Sequence, residues 1–177
     1  MDLWLIAVNA FWLIAPAYGS NAFPPLVGGK RSVDFGRTFR GKRIFGDGKT
    51  IEGSLAGILF GLLIGSIQLL FQPALSALIS PYGPFIFLTL PLVLLLSMGA
   101  IAGDMLGSFI KRQLCIERGK PAPLLDQLDF IVVSILFTYL FFGMALEVIV
   151  FIIIVTPVIH YVANIIGFVL RIKKHPW

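Results

Sequence analysis

Five stretches of this chain, at about 3–18, 53–70, 85–109, 128–144 and 148–170, are each apolar for long enough to cross a lipid bilayer. A hydrocarbon core about 30 Å thick requires about 20 apolar residues in helical form, because a helix satisfies its own backbone hydrogen bonds where no water is present. Of 177 residues 58% are hydrophobic and 13% charged, with a mean hydropathy of +0.94, so little chain remains for a soluble domain. The expectation is an all-α integral membrane protein: one transmembrane domain over 1–177, five transmembrane helices, and two longer connections at about 22–52 and 111–126. The first run is preceded by Asp2 and by no basic segment, so it reads as a true span rather than a signal peptide. Cys115 is the single cysteine, which excludes an intrachain disulfide framework and fits no zinc-ligand spacing.

Basic residues are retained on the cytoplasmic side during insertion, so their distribution sets an orientation. Seven of the 14 Lys and Arg lie between Lys30 and Lys49, four between Lys111 and Lys120, and three in the tail at Arg171, Lys173 and Lys174. Five spans put all of them on one face, with the N-terminus outside and the C-terminus cytoplasmic. The location expected is the cell membrane, with the working surface facing the cytoplasm. A pI near 9.6 would suggest nucleic acid in a soluble protein, but membrane orientation already accounts for these charges, and no nucleic-acid partner is expected. No internal repeat is visible, which disfavours a transporter built from inverted halves.

The chemistry-bearing residues cluster near that same face. Asp104, Ser108, Lys111 and Arg112 share one side of a helix at i, i+4, i+7 and i+8. Asp104 sits about 10 Å inside Lys111, and an anion at such depth needs a partner, for which Lys111, Arg112 or a metal are candidates. A structural ion pair at a helix end is the plain alternative. Asp126 and Asp129 stand one turn apart at the start of the fourth span. Capping explains one of them; two facing carboxylates suit a shared cation such as magnesium bound with substrate phosphates. The run Gly46-Asp47-Gly48-Lys49-Thr50-Ile51-Glu52-Gly53 resembles a phosphate-binding turn feeding a helix start. It is not a Walker A motif, since Arg43 stands where that pattern needs glycine. Lys49 and Thr50 are read as phosphate contacts, and Lys30, Arg31, Arg37 and Arg40 as contacts to anionic headgroups. Asn9, Gln68, His160 and Asn164 are assigned to interhelical hydrogen bonding, and Gly57, Gly61 and Gly65 to close helix packing, within the fold or across a homodimer.

Together, Gly103-Asp104-x-x-x-Ser108-x-x-Lys111-Arg112, Pro121 and Leu125-Asp126-Gln127-Leu128-Asp129 resemble the signature of CTP-dependent phosphatidate cytidylyltransferases. Gly48-Lys49-Thr50, Glu52-Gly53 and the short length are more similar to the archaeal branch, the CDP-archaeol synthases. The resemblance covers roughly residues 20–130. A Lys-Asp pair and a His-Gly-Gly segment of the bacterial signature are missing here, so no role is carried over for them. The resemblance implies transfer of CMP from CTP to an isoprenoid ether lipid phosphate, with Mg2+ required and pyrophosphate released. It implies catalytic roles for Asp104, Lys111, Arg112, Asp126 and Asp129, magnesium coordination by Asp104, Asp126 and Asp129, and nucleotide contacts from Gly48, Lys49, Thr50, Ser108, Lys111 and Arg112.

Three rivals stand beside this reading. A CDP-alcohol phosphotransferase would begin its aspartate cluster with Asp-Gly-x-x-Ala-Arg, which does not occur here. A CTP-dependent polyprenol kinase would release CDP instead of pyrophosphate. In a non-enzymatic lipid-binding or channel protein, the three aspartates would be structural.

Overall fold

A computed structural model describes residues 2–171, so Lys173 and Lys174 of the basic tail lie outside the described residues. Helix α1 runs Leu3–Ala22 and continues into a short helix α2, Pro24–Val27. A two-stranded antiparallel hairpin follows, β1 at Thr38–Phe39 and β2 at Lys42–Arg43. Then come α3 at Ile51–Ile79, α4 at Leu90–Gln113, α5 at Leu125–Phe142 and α6 at Leu146–Val169. Five of these helices are long and apolar enough to cross a membrane, in agreement with the apolar runs. The hairpin is the departure from an all-α description. Its turn is made by Arg40 and Gly41, both at positive φ (52° and 76°), as a two-residue hairpin turn requires.

α1 is the central element and packs on α3, α4, α5 and α6. Leu5, Ala10, Leu13, Ile14 and Ala17 of α1 are buried with Val93 and Leu96 of α4, Phe130 and Ile131 of α5 and Ile152 of α6. Lipid is as apolar as a leucine side chain, so helices in a bilayer associate through close fit more than through hydrophobic exclusion. The small-residue faces show this directly. A Cβ on Gly61 would lie 2.0 Å from Ser20 Oγ and 2.4 Å from Ser97 Oγ, and one on Gly65 would lie 2.1 Å from Val93 Cγ1. The Gly57–Gly61–Gly65 face is therefore consumed inside the fold, and a homodimer contact would need another surface. On the opposite side of α3, Leu55, Leu59, Leu63, Ile67 and Leu70 are exposed, as a lipid-facing stripe must be.

A second glycine row, unnoticed in the sequence, lies on α4. Gly99, Gly103 and Gly107 bring α4 against the backbone of α5: a Cβ on Gly103 would come within 2.2 Å of the Asp129 carbonyl oxygen and 2.7 Å of Phe130 Cα. This contact sets the spacing of the two helices that carry the aspartates.

Two helix bounds differ from the expectation in an instructive way. α3 extends nine residues past the expected Leu70, through Pro73 to Ile79. The third span begins at Leu90 instead of 85, because 85–89 runs extended. Side-chain amides serve that segment's backbone: Asn9 donates to the Pro84 carbonyl (3.0 Å) and accepts from Ile86 N–H (2.7 Å), while Gln72 accepts from Leu88 N–H (2.6 Å) and donates to its carbonyl (3.2 Å). Each such group left unpaired in an apolar setting would cost about 1–3 kcal/mol. Asn9 and, through Gln68 to the Trp12 carbonyl at 2.7 Å, the second span thus make the expected contacts between elements.

Candidate functional site

The site is built from the first long connection. Asp34 is its organiser and is nearly fully buried. Its carboxylate accepts hydrogen bonds from Ser32 Oγ (2.6 Å), Arg43 Nη2 (2.7 Å) and the backbone N–H groups of Gly36 (3.0 Å), Phe45 (2.9 Å) and Gly46 (2.9 Å). Burial by itself pushes this carboxyl up, but the Arg43 guanidinium, the Ser32 hydroxyl and the Gly46 and Phe45 amides outweigh it. They hold the pKa well below the usual carboxylate range. Arg43, held above its ordinary pKa chiefly by its bond to Asp34, also reaches Asp47 at 2.7 Å. The hairpin is moored to the end of α4 by Lys42 Nζ donating to the Gln113 carbonyl at 2.5 Å. These contacts fix the path of Gly46–Thr50 over the ends of α3 and α4.

Thr50 is the N-cap of α3. Its hydroxyl accepts from Gly53 N–H (3.1 Å) and donates to the Gly28 carbonyl (2.7 Å), so the hydroxyl proton is committed to the fold. Beside it, Lys49 Nζ contacts Asp104 Oδ2 at 2.5 Å. Asp104 therefore finds its cation on the loop, two turns from Lys111 on its own helix. Lys111, in the last turn of α4, instead binds both oxygens of Asp126 (2.8 and 3.0 Å). Asp126 also accepts from Ala122 N–H at 2.9 Å, so it caps α5 and holds Lys111 at once. Asp129 is one turn further in, where it interacts with the charges of Asp104, Lys49 and, less strongly, Asp126. Arg112 Nε is buried without a hydrogen-bond partner, an unmet donor on a cation.

All of these groups face one cavity of about 620 Å³, in the range of small-molecule sites. Gly48, Lys49, Thr50, Asp104, Ser108, Lys111, Arg112, Asp126 and Asp129 all line it. So do residues that sequence reasoning passed over or assigned elsewhere: Arg43, Arg118, Asn21, Ser54, His160 and Asn164. A Cβ on Gly48 would lie 3.3 Å from Arg118 Nε, so the guanidinium lies against the glycine turn. His160 and Asn164, expected between helices, bond to each other along α6 at 3.2 Å and border the cavity. Signals existed for some of these, since four basic residues flank the second connection, but nothing in the sequence places α6 beside the aspartates.

Among the described residues no three His, Cys, Asp or Glu side chains form a ready-made metal cage. Asp104 and Asp129 nevertheless interact across the α4–α5 contact. Two carboxylates in a polar cavity fit a hard divalent ion that keeps waters and takes its other ligands from substrate phosphates. The surrounding Lys49, Lys111, Arg112 and Arg118 fit a polyphosphate. The arrangement can therefore bring a metal–polyphosphate complex to a point inside the apolar span of the protein.

Comparison with known proteins agrees with this geometry. The family model described as CarS-like, CDP-archaeol synthase, matches residues 3–177. The chain is 43% identical to the CDP-archaeol synthase of Pyrococcus abyssi, over 96% of this chain and 97% of that one. It is 41% identical to that of Pyrobaculum arsenaticum, with both chains fully covered. A solved structure, reported as an intramembrane enzyme for archaeal membrane lipid biosynthesis, is similar with a TM-score of 0.76 and 39% identity, covering 89% of this chain and 94% of that one.

Proposed function

The chain belongs to the CDP-archaeol synthase family, and from that premise we propose that its polar cavity is where CTP and an isoprenoid ether lipid phosphate meet. It is a CTP-dependent nucleotidyltransferase, a multi-pass membrane enzyme that forms a CDP-lipid in archaeal lipid biosynthesis. The acceptor in this reading is 2,3-di-O-geranylgeranylglyceryl phosphate, and the cavity faces the cytoplasm of the cell membrane, where CTP is available. One observation carries it: every aspartate and every phosphate-contact residue named from the sequence motif lines the same cavity.

A phosphate monoester has its second pKa near 6, so the lipid phosphate is largely dianionic at neutral pH and needs no general base. One of its oxygens forms a bond to the α-phosphorus of CTP, and the bond from that phosphorus to the oxygen bridging to the β-phosphorus breaks. Pyrophosphate leaves with the electron pair. Lys49, Lys111, Arg112 and Arg118 hold and neutralise the triphosphate, while the Gly46–Gly48 turn lets its backbone approach it. Mg2+, held by Asp104 and Asp129 with Asp126 as a further candidate ligand, supplies charge neutralisation at the transferring group. Before ligands arrive, the Lys49–Asp104 and Lys111–Asp126 pairs keep four charges satisfied in a half-buried site. On binding, the ammonium groups serve the phosphates and the carboxylates serve the cation.

The test is product analysis in detergent with labelled CTP, Mg2+ and the ether lipid phosphate. The expected products are lipid-linked CMP and pyrophosphate; CDP with a newly phosphorylated lipid would establish a kinase instead. Asp129→Asn should lower turnover at least a hundredfold with folded yield preserved, as removal of a group acting on the transition state does. Near-normal turnover would remove Asp129 from the site.

A further inference from the structure

On the reading just given, we propose that His160 and Asn164 of α6 are positioning residues for the lipid substrate, donating hydrogen bonds to the glycerol-linked oxygens of its headgroup. α6 is otherwise among the least polar elements of the chain. Tyr161, Val162, Ile165 and Ile166 are exposed to the surroundings of the bundle, whereas His160 and Asn164 border the polar cavity. Asn164 is buried, and a polar side chain kept inside a membrane helix needs a hydrogen-bonding role.

Depth separates this pair from the nucleotide groups. At 1.5 Å per residue, Asn164 lies about 8 Å and His160 about 14 Å inward from the end of α6 at Val169. The cationic residues assigned to the triphosphate come from the Gly46–Lys49 turn, the last turn of α4 and the connection carrying Arg118. All of these lie at the aqueous end. A lipid phosphate enters from the opposite direction, its phosphate toward Asp104 and Asp129 and its glycerol deeper, at the level of α6.

The chemistry also matches. Ether oxygens accept hydrogen bonds and donate none, so a site for them must present donors. The Asn164 amide nitrogen lies 3.2 Å from His160 Nδ1; with the amide donating, the neutral imidazole carries its proton on Nε2. Asn164 has a second amide hydrogen. The pair thus offers two N–H groups, one for each ether oxygen of a diether glycerol. The His160 ring is steadied by Phe130, whose ring centroid is 6.4 Å away.

Steady-state kinetics on His160→Phe, His160→Gln and Asn164→Leu, with folded yield checked by gel filtration, tests this. His160→Phe and Asn164→Leu should each raise KM for the ether lipid phosphate roughly five- to tenfold, the loss of one hydrogen bond. KM for CTP should not change, and His160→Gln, which keeps a donor, should recover most of the loss. A long-chain alkyl phosphate, which lacks the ether oxygens, should show no difference between the wild type and any variant. A raised KM for CTP with lipid KM unmoved would assign the pair to the cytosine and overturn the proposal, as would equal losses on both lipid substrates. Failure of the wild type to make any CDP-lipid would instead sink the functional reading itself.

Discussion

Asp34 shows how a residue far from any chemistry can decide whether a site exists. Five groups drawn from Ser32 to Gly46 converge on one buried carboxylate, and the loop they shape carries Lys49 to Asp104. Asp34→Asn keeps the shape but exchanges acceptors for donors and strips Arg43 of its counter-charge. It should lower kcat/KM for CTP by roughly tenfold or more, a loss of charge-assisted hydrogen bonds read in activity. The pH dependence has a definite sign. The folded pKa lies below the ordinary carboxylate value of about 3.9, so the stabilisation is complete above that value and fades as pH falls through the folded value. Thermal melting in detergent should fall on acidification below about pH 4, and less steeply in Asp34→Asn. An equal fall in both would show that another group governs acid sensitivity. Asp34 was invisible to motif reasoning because its role lies wholly in its partners, whereas Asp104, Asp126 and Asp129 stand at spacings that mean something on a helix before any partner is known. Thr50 was legible as a site residue, but the same position is a helix cap, and its hydroxyl proton goes to Gly28.

At the scale of helices, the packing of α4 on α5 is the element that holds the aspartates in register. The atoms that a Cβ on Gly103 would meet belong to the α5 backbone and cannot rotate away. Gly103→Ala should therefore force the helices apart, costing about 1–3 kcal/mol as overpacking does, and depress turnover as Asp104 and Asp129 separate. Gly19→Ala is the control. Its Cβ would meet the tip of Ile64, a flexible side chain that can turn aside, so its melting temperature and activity should stay near wild type. Equal behaviour of the two variants would refute the register role. The apolar runs located all five spans because length and hydropathy are read directly against bilayer thickness. Their ends were less legible. The Phe85–Leu88 run is as apolar as a helix but is extended, because Asn9 and Gln72 from other helices take over its backbone bonds. Pro73 looked like a terminator and is passed through. Such outcomes depend on tertiary partners that no local pattern contains.

For the molecule as a whole, the charges and the cavity lie at the same end of the bundle, and the orientation of that end in the membrane can be tested with the native chain. The opposite end is made of the 80–89 turn and the short 143–145 link, where a cavity of about 590 Å³ is lined by residues such as Leu13, Phe85, Phe142 and Val148. The polar cavity, by contrast, is ringed by Lys49, Lys111, Arg112 and Arg118. Basic residues resist translocation, so the polar end should face the cytoplasm. Cys115, the single cysteine of the chain, is exposed in the connection leaving α4, three residues beyond Arg112. It therefore reports which side that end occupies without any engineered label. A membrane-impermeant maleimide should modify Cys115 in inside-out vesicles and leave it untouched in sealed right-side-out vesicles until detergent is added. The reverse pattern would place the site outside, away from the CTP pool, and would contradict both the topology and the cytoplasmic reaction at once. The same vesicles extend the result to function: added CTP should support CDP-lipid formation only in the orientation in which Cys115 is labelled, because one face of the bundle carries both the thiol and the entrance to the cavity.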